Sequence, residues 1–366
     1  MKFKKNIVFF LLLLTACSSE KQQQSKDYIE IDMVPAIEGE AQKMPLQEWA
    51  KSIRFIPLET NEDILIGGIN EVFCKDGKLL VRHSERISVF NLNGKYLYDI
   101  GSKGPGPAEF ITIRTISLHN DLIYVHEFRN IIKVYDWKGN FVEKLLLPAN
   151  AWGVISIPGK EEMLAYVANC SGEESVRFYL MKGGQVLDTI PNPFIYPKQK
   201  NAVEVMFRED FLLSQGSLTA FIELNSDTVY QVTEKLETRP YIVFNMGKYL
   251  FTRRERYSVS FNDMIDKKLM KTKYPLRVLG EMGEKVYINK GYGQVKHTIV
   301  FDDEYTFCYD KRSMKVNKYF LAYPENELDI LEGAAFVPRA IFDDKYLVDW
   351  EQPDNDENPV LILVEP

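Results

Sequence analysis

Three glycines set the frame in which this chain folds. Gly94, Gly139 and Gly184 recur at intervals of 45 residues, each between short apolar runs. Around the first, Leu79 to Val81, Arg86 to Phe90 and Lys95 to Ile100 read as strand, loop, strand, tight turn, strand. The same order returns in Leu122 to Val125, Ile131 to Tyr135 and Asn140 to Leu147. It returns again in Met163 to Ala168, Arg177 to Leu180 and Val186 to Ile190. Glycine suits such a turn because a tight hairpin needs a residue at positive φ. A period of this length belongs to solenoids, propellers or repeat arrays. Strands without intervening helices select the propeller, one four-stranded blade per repeat.

Later copies are less regular. Phe221 to Leu224, Asp227 to Val232 and Tyr241 to Phe244 form one, turning near Glu234-Lys235. Val286 to Ile288, Ile299 to Phe301, Thr306 to Tyr309 and Lys315 to Phe320 form another, and Ala340 to Phe342, Lys345 to Trp350 and Val360 to Val364 the last. Between the fourth and fifth copies a helix is expected near 260–273: Ser260 and Asp263 make a capping box, Phe261, Ile265 and Leu269 share a face, and Pro275 ends it. The fold expected is all-β, a six-bladed β-propeller over residues 28–366, with one inserted helix in a segment of about 252–276. A ring with an open seam would leave bare sheet edges. An N-terminal strand, Tyr28 to Met33 or Ile53 to Leu58, is therefore expected to complete the final blade.

The first residues read as a leader to be set aside before the fold is considered. Lys2, Lys4 and Lys5 precede an apolar run, Ile7 to Leu14, that is shorter than the roughly 20 residues a spanning helix needs. Leu14-Thr15-Ala16-Cys17 follows and resembles the lipobox of bacterial lipoproteins, which implies a signal peptide over 1–16 and acylation of Cys17. Residues 17–27 contain Ser, Glu, Lys and three consecutive Gln, too polar to bury surface against their ordering entropy. They are expected to act as a flexible tether. Ser18 rather than Asp after the cysteine implies, by likeness to enterobacterial sorting, an outer-membrane lipoprotein, facing either the periplasm or the exterior.

Composition narrows the partners. The formal charge is −7 and the mature part has no basic block, so nucleic acid is not an expected partner. Twenty Tyr and 22 Phe suit strands that pack on both faces. With Cys17 acylated, Cys74, Cys170 and Cys308 remain, and their apolar surroundings point to buried, inert thiols. No CxxC pair suggests a redox centre or a zinc site.

The usual catalytic signatures fail on inspection. Gly101 to Pro107 is glycine-rich, but Pro105 and Pro107 remove two backbone donors and no helix follows, so it is no phosphate loop. His83, His119, His126 and His297 show no metal-binding spacing and read as solvated loop residues, unless the ring gathers them at its axis. No Gly-x-Ser-x-Gly elbow occurs. Asp354, Asp356 and Asn358 alternate like the start of a calcium loop, yet the glycine and distant glutamate that complete one are missing. A solvated acidic loop is the expectation there, and no cofactor is expected.

Ile53-Arg54-Phe55-Ile56-Pro57-Leu58-Glu59-Thr60, Ile100-Gly101-Ser102-Lys103-Gly104-Pro105-Gly106-Pro107-Ala108-Glu109-Phe110 and Asn225-Ser226-Asp227-Thr228-Val229-Tyr230 resemble the six-bladed β-propeller lipoproteins of Bacteroidetes, which are related to NHL-repeat propellers. The likeness covers 28 to 366 and implies the fold, without a shared catalytic signature. Where NHL repeats often place an aspartate after the second strand, this chain has Arg82 and His126. Those departures weaken any inference of the lyase or hydrolase chemistry of some relatives.

In a propeller the connections between blades and those between second and third strands emerge on one face. That rule gathers Lys103, Glu109, Phe110, His83, Arg86, His126, Glu127, Arg129 and Trp152 around one mouth of the channel. Arg129 and Trp152 lead the set, since guanidinium forks and flat aromatic faces suit sugars and peptides. The function expected is a non-catalytic binding or interaction module of the cell envelope, for a glycan or a protein partner. The alternative is a metal-assisted lyase or hydrolase at the axis.

Overall fold

In the computed structural model the described residues are 27–127, 130–197, 210–258, 272–290, 294–295, 298–299, 305–324, 334–353 and 357–366. Most of them form six sheets, each built on four antiparallel strands and arranged as a ring. The first blade comprises Glu71–Lys75, Lys78–His83, Arg86–Asn91 and Tyr96–Asp99. The second comprises Thr115–His119, Leu122–His126, Ile131–Tyr135 and Phe141–Leu146. The third is Ala151–Ser156, Met163–Val167, Val176–Lys182 and Gln185–Pro191. The fourth is Asp210–Gln215, Leu218–Glu223, Thr228–Val232 and Thr238–Asn245. The fifth is Leu276–Met282, Lys285–Lys290, Thr306–Asp310 and Lys315–Ala322. The sixth is Ala340–Phe342, Tyr346–Glu351 and Val360–Glu365, completed by Ser52–Pro57 from the N-terminal part. First strands of neighbouring blades lie against one another, so they form the wall of the axis.

Strand alternation builds the core. In the first blade Leu79 and Val81 face the sixth blade, whereas Leu80, between them, faces the second. This pattern, in which successive side chains point to opposite faces, repeats around the ring. The result is one apolar cluster at each junction between blades, with no central core.

Of the two N-terminal segments expected at the seam, the second closes it. Ser52–Pro57 pairs antiparallel with Val360–Glu365, from Ser52 opposite Glu365 to Pro57 opposite Val360. Ile29–Asp32 instead adds a fifth strand, parallel, to the outer edge of the fourth blade, and Gln42–Pro45 does the same for the fifth. Two short helices, Val34–Glu38 and Leu46–Trp49, link these additions. The N-terminal segment thus passes along the rims of blades four, five and six before the first blade begins.

Three details depart from the sequence reading. In the third blade the turn residue at positive φ is Gly183 (55°), one position before Gly184, because a two-residue hairpin replaces the longer turns at Gly94 (79°) and Gly139 (85°). The inner strand of the fifth blade is Leu276–Met282; Ile299 belongs instead to a small ribbon of Gln294–Val295 with Thr298–Ile299. Most of the helix expected at 260–273 lies outside the described residues. Just before it, Arg253–Arg256 forms one helical turn with its capping box at Thr252 and Glu255.

Candidate functional site

The mouth defined by the between-blade connections and the second-to-third-strand connections is called the upper face here. Inner strands start at this face, so their first residues ring the opening. On the first blade Glu71 takes Arg82 Nε at 2.7 Å and, across the junction, Thr115 Oγ1 at 2.6 Å and the Ile116 N–H at 3.1 Å. One carboxylate thereby locks two inner strands together at the rim.

Trp152 stands at the start of the third inner strand, in a bulge. Ala151 pairs with Val167 and Gly153 with Tyr166, which leaves Trp152 as the extra residue. A bulge bends the strand and re-aims the side chain it carries. Here the indole is half-buried, and the Arg114 guanidinium lies 3.6 Å from its ring centroid. Arg114 comes from the connection leading into the second blade, and its N–H donates to His126 O at 2.8 Å. A planar cation stacked on an aromatic face, held by two blades, is well suited to polar, flat ligands.

The other side of the mouth is acidic. Asp349, 1% exposed, accepts from Tyr323 Oη at 2.9 Å and the Val337 N–H at 3.0 Å, and pairs with Arg339 Nε at 2.9 Å. Glu351 lies 3.8 Å from the same guanidinium. Burial, reinforced by the neighbouring Asp349, pushes Glu351 up to about 7. Burial also raises Asp349, against the pull of Arg339. Arg277 caps the group by donating to Arg339 O at 2.9 Å.

The remaining sequence-selected residues are placed as follows. The three described histidines are buried, not solvated. His83 Nε2 bonds Ser88 Oγ, His126 Nε2 bonds Ser117 Oγ and His119 Nδ1 bonds Ser156 Oγ, each at 2.9 Å. Burial first, then Arg86, pushes His83 down to about 4, so it is neutral at physiological pH. Arg86 is engaged by Asp99 at 2.6 and 3.1 Å. Glu109 folds back to accept the Gly106 N–H at 2.8 Å, so it fastens its own loop. Lys103 is exposed and bridges to Phe110 in the same loop. Glu127 is buried, with its Oε2 accepting the Ile111 N–H at 3.2 Å. Arg129, His297, Asp354, Asp356 and Cys17 lie outside the described residues. Asn358 is buried and structural, contacting Ile66 N, Glu59 O and Ile64 O. Cys74, Cys170 and Cys308 form no disulfide, and only Cys308 is buried as expected; Cys74 and Cys170 are half-buried, at the edges of their blades' apolar clusters.

Among the described residues no group of three His, Cys, Asp or Glu side chains is arranged to hold a metal ion. No helix among them is long and apolar enough to cross a membrane. A cleft of about 410 Å³ opens on the lower face between blades five and six, away from the mouth. Lys51, Lys285, Arg312 and Lys345 there are balanced by Glu284, Asp310, Asp344 and Glu365.

The DUF4934 family, a domain of unknown function, matches residues 28–365. The chain belongs to the DUF4934 family. No curated protein matches it. A Bacteroides fragilis protein named as exported shares 16% identity and aligns with TM-score 0.64, over 92% of this chain and 99% of that one. A DUF4221 member from Bacteroides vulgatus aligns with TM-score 0.52 at 11% identity, over 87% and 97%. Both likenesses are of fold. A virginiamycin B lyase of Staphylococcus aureus, solved with quinupristin, reaches TM-score 0.47 at 11% identity, over 86% and 100%. A likeness of that degree carries no statement about activity.

Proposed function

We propose that this DUF4934 protein is a lipid-anchored binding module of the cell envelope that holds a glycan at its upper mouth. The observation that carries the reading is Trp152, the extra residue of a bulge at the start of the third inner strand, half-buried against the cluster between blades three and four and stacked beneath the Arg114 guanidinium. Aromatic faces stack on the apolar face of a sugar ring, and a guanidinium offers donors in a fixed plane to hydroxyl or carboxylate oxygens. Glu71 and Arg82 stiffen the adjoining rim, so the surface is largely preformed, as binding sites commonly are. The anchor rests on Leu14-Thr15-Ala16-Cys17 and the polar residues after it, which support an outer-membrane lipoprotein of NHL-like architecture.

The test is a glycan array probed with the purified chain and with Trp152→Ala and Arg114→Ala variants. Binding to a defined set of glycans, lost in both variants at unchanged melting temperature, is the expected result. Binding that survives both substitutions would remove the mouth from the proposal. Capture of one protein partner, with no glycan retained, would replace the glycan by that protein.

A further inference from the structure

We infer that the glycan at the upper mouth is an acidic oligosaccharide, which runs outward from the Arg114–Trp152 stack to a second stack, Arg253 on Phe194, and sets an anionic group against the Arg253 guanidinium. This inference rests on the glycan reading above and adds to it the charge and the length of the ligand.

The two stacks share one junction. Phe194 lies in the connection from blade three to blade four, and the Arg253 guanidinium, from the connection between blades four and five, stands 4.1 Å from its ring centroid. Phe194 packs in turn on Tyr230, with 4.9 Å between centroids. Tyr230 and Trp152 both border the apolar cluster between blades three and four. Trp152 belongs to an inner strand and Tyr230 to a third strand, two strand spacings, or about 10 Å, further from the axis. The upper end of this junction therefore carries one guanidinium on an aromatic ring at the mouth and another toward the rim. No single sugar ring covers that span.

Hydrogen-bonding capacity at the second stack is unequal. Glu223 divides its oxygens: Oε1 takes the fully buried Arg177, and Oε2 stands 3.4 Å from Arg253. One carboxylate thus serves two guanidinium groups. The Arg253 side chain keeps 29% exposure, and its Nε has no partner. On the flanking turns Glu255 is engaged by Thr252 and Lys273, Glu174 by Asn150 and Asp227 by Thr228, while exposed Glu173 is matched by exposed Arg254. In both stacks a guanidinium lies over the ring, so a ligand meets a planar cation as well as an aromatic edge. The carboxylate or sulfate of an acidic sugar fits such a cation through charge-assisted hydrogen bonds. Tyr166, opposite Gly153 beside the Trp152 bulge, and Asn225, just after Glu223, add one buried oxygen each that has no partner. Oxygens of that kind mark places where water or a ligand supplies the missing bond.

The glycan array separates this inference from the reading it rests on. Glycans bearing carboxylate or sulfate groups are expected to be retained over neutral ones. Methyl-esterification or desulfation, whichever removes the charge, is expected to abolish binding and so to identify the group. Neutral glycans retained as strongly overturn the inference and leave the glycan reading intact, whereas an array with nothing retained overturns both. The retained glycan is then titrated as a two-sugar and a six-sugar fragment. Arg253→Gln leaves the Arg177–Glu223 pair in place. It is expected to weaken the six-sugar fragment about tenfold at unchanged melting temperature, with the two-sugar fragment bound as by the parent. Phe194→Leu keeps an apolar contact to Tyr230 without the flat ring and is expected to act in the same direction. A six-sugar fragment bound by both variants as tightly as by the parent, or equal losses on both fragments, overturns the second stack.

Discussion

Arg177 of the third blade is fully buried and ion-paired with Glu223 of the fourth. The guanidinium also reaches Asn192 Oδ1 at 3.1 Å and lies 5.3 Å from the Phe221 ring centroid. Arg253 adds a second contact to Glu223 at 3.4 Å. Two blades are therefore joined near the upper face by a charge that water does not reach. Loss of the carboxylate leaves the guanidinium buried without its counter-ion. Glu223→Gln is expected to lower the unfolding free energy by about 3–5 kcal/mol, measured by urea denaturation. An apolar double replacement, Arg177→Met with Glu223→Leu, is expected to recover most of that loss.

Gly94 and Gly77 separate backbone conformation from packing. Both have positive φ, 79° and 75°. A Cβ on Gly94 would stand 2.0 Å from Pro57 O, whereas one on Gly77 would meet nothing within 4 Å. Gly77→Ala is expected to cost about 1–2 kcal/mol, the conformational penalty alone. Gly94→Ala must in addition push the closing strand aside, so its midpoint in a thermal melt should fall clearly further.

Much of the ring was legible because it is built from local signals. The 45-residue register, the turn glycines and the alternating apolar runs each sit within a few residues of one another. Leu276–Met282 escaped because Pro275 precedes it and the register shifts between Val278 and Gly280, which interrupts the alternation that marks a strand. The histidines misled for a different reason. Each ends an apolar strand just before a polar turn, and the serine that satisfies it lies on another strand, in one case 37 residues away. The sequence singles out Trp152 at a strand start, but not Arg114, which stacks on it. Their stacking depends on a bulge in one blade and a connection from another, and neither leaves a pattern in the sequence.

Glu351 gives the protein a pH dependence of definite sign. Its folded value, about 7, lies above the ordinary carboxylate value of 4.5. The folded state therefore holds this proton more tightly than the unfolded state. Its contribution is fully favourable below about pH 4.5 and is lost as pH rises to about 7. Because the side chain keeps some exposure, the change is expected to be of order 1–2 kcal/mol. Glu351→Gln should flatten the stability profile over that window and leave the variant more stable than the parent at about pH 8. If Glu351 stayed ionised throughout, its part of the slope would vanish over that window and Glu351→Gln would leave the profile's shape unchanged.

The thiols should be quiet. Burial pushes Cys74 and Cys308 each up to about 11, which leaves about one in a thousand ionised near pH 8. With a disulfide reagent, native protein is expected to spare Cys308, to react slowly at Cys74, and to release all three thiols only in denaturant. Rapid native reaction at Cys308 would contradict its 2% exposure.

The segment from Ile29 to Pro57 edges three blades whose other strands lie some 180 to 330 residues later. It has nothing to pair with until those blades exist, so the portion made first is the portion that settles last. Long-range pairings of this kind are slow, and they leave strand edges exposed while they wait. A partly synthesised chain therefore cannot lock shut. Ring closure waits for Val360–Glu365, the strand that Ser52–Pro57 must meet across more than 300 residues of chain.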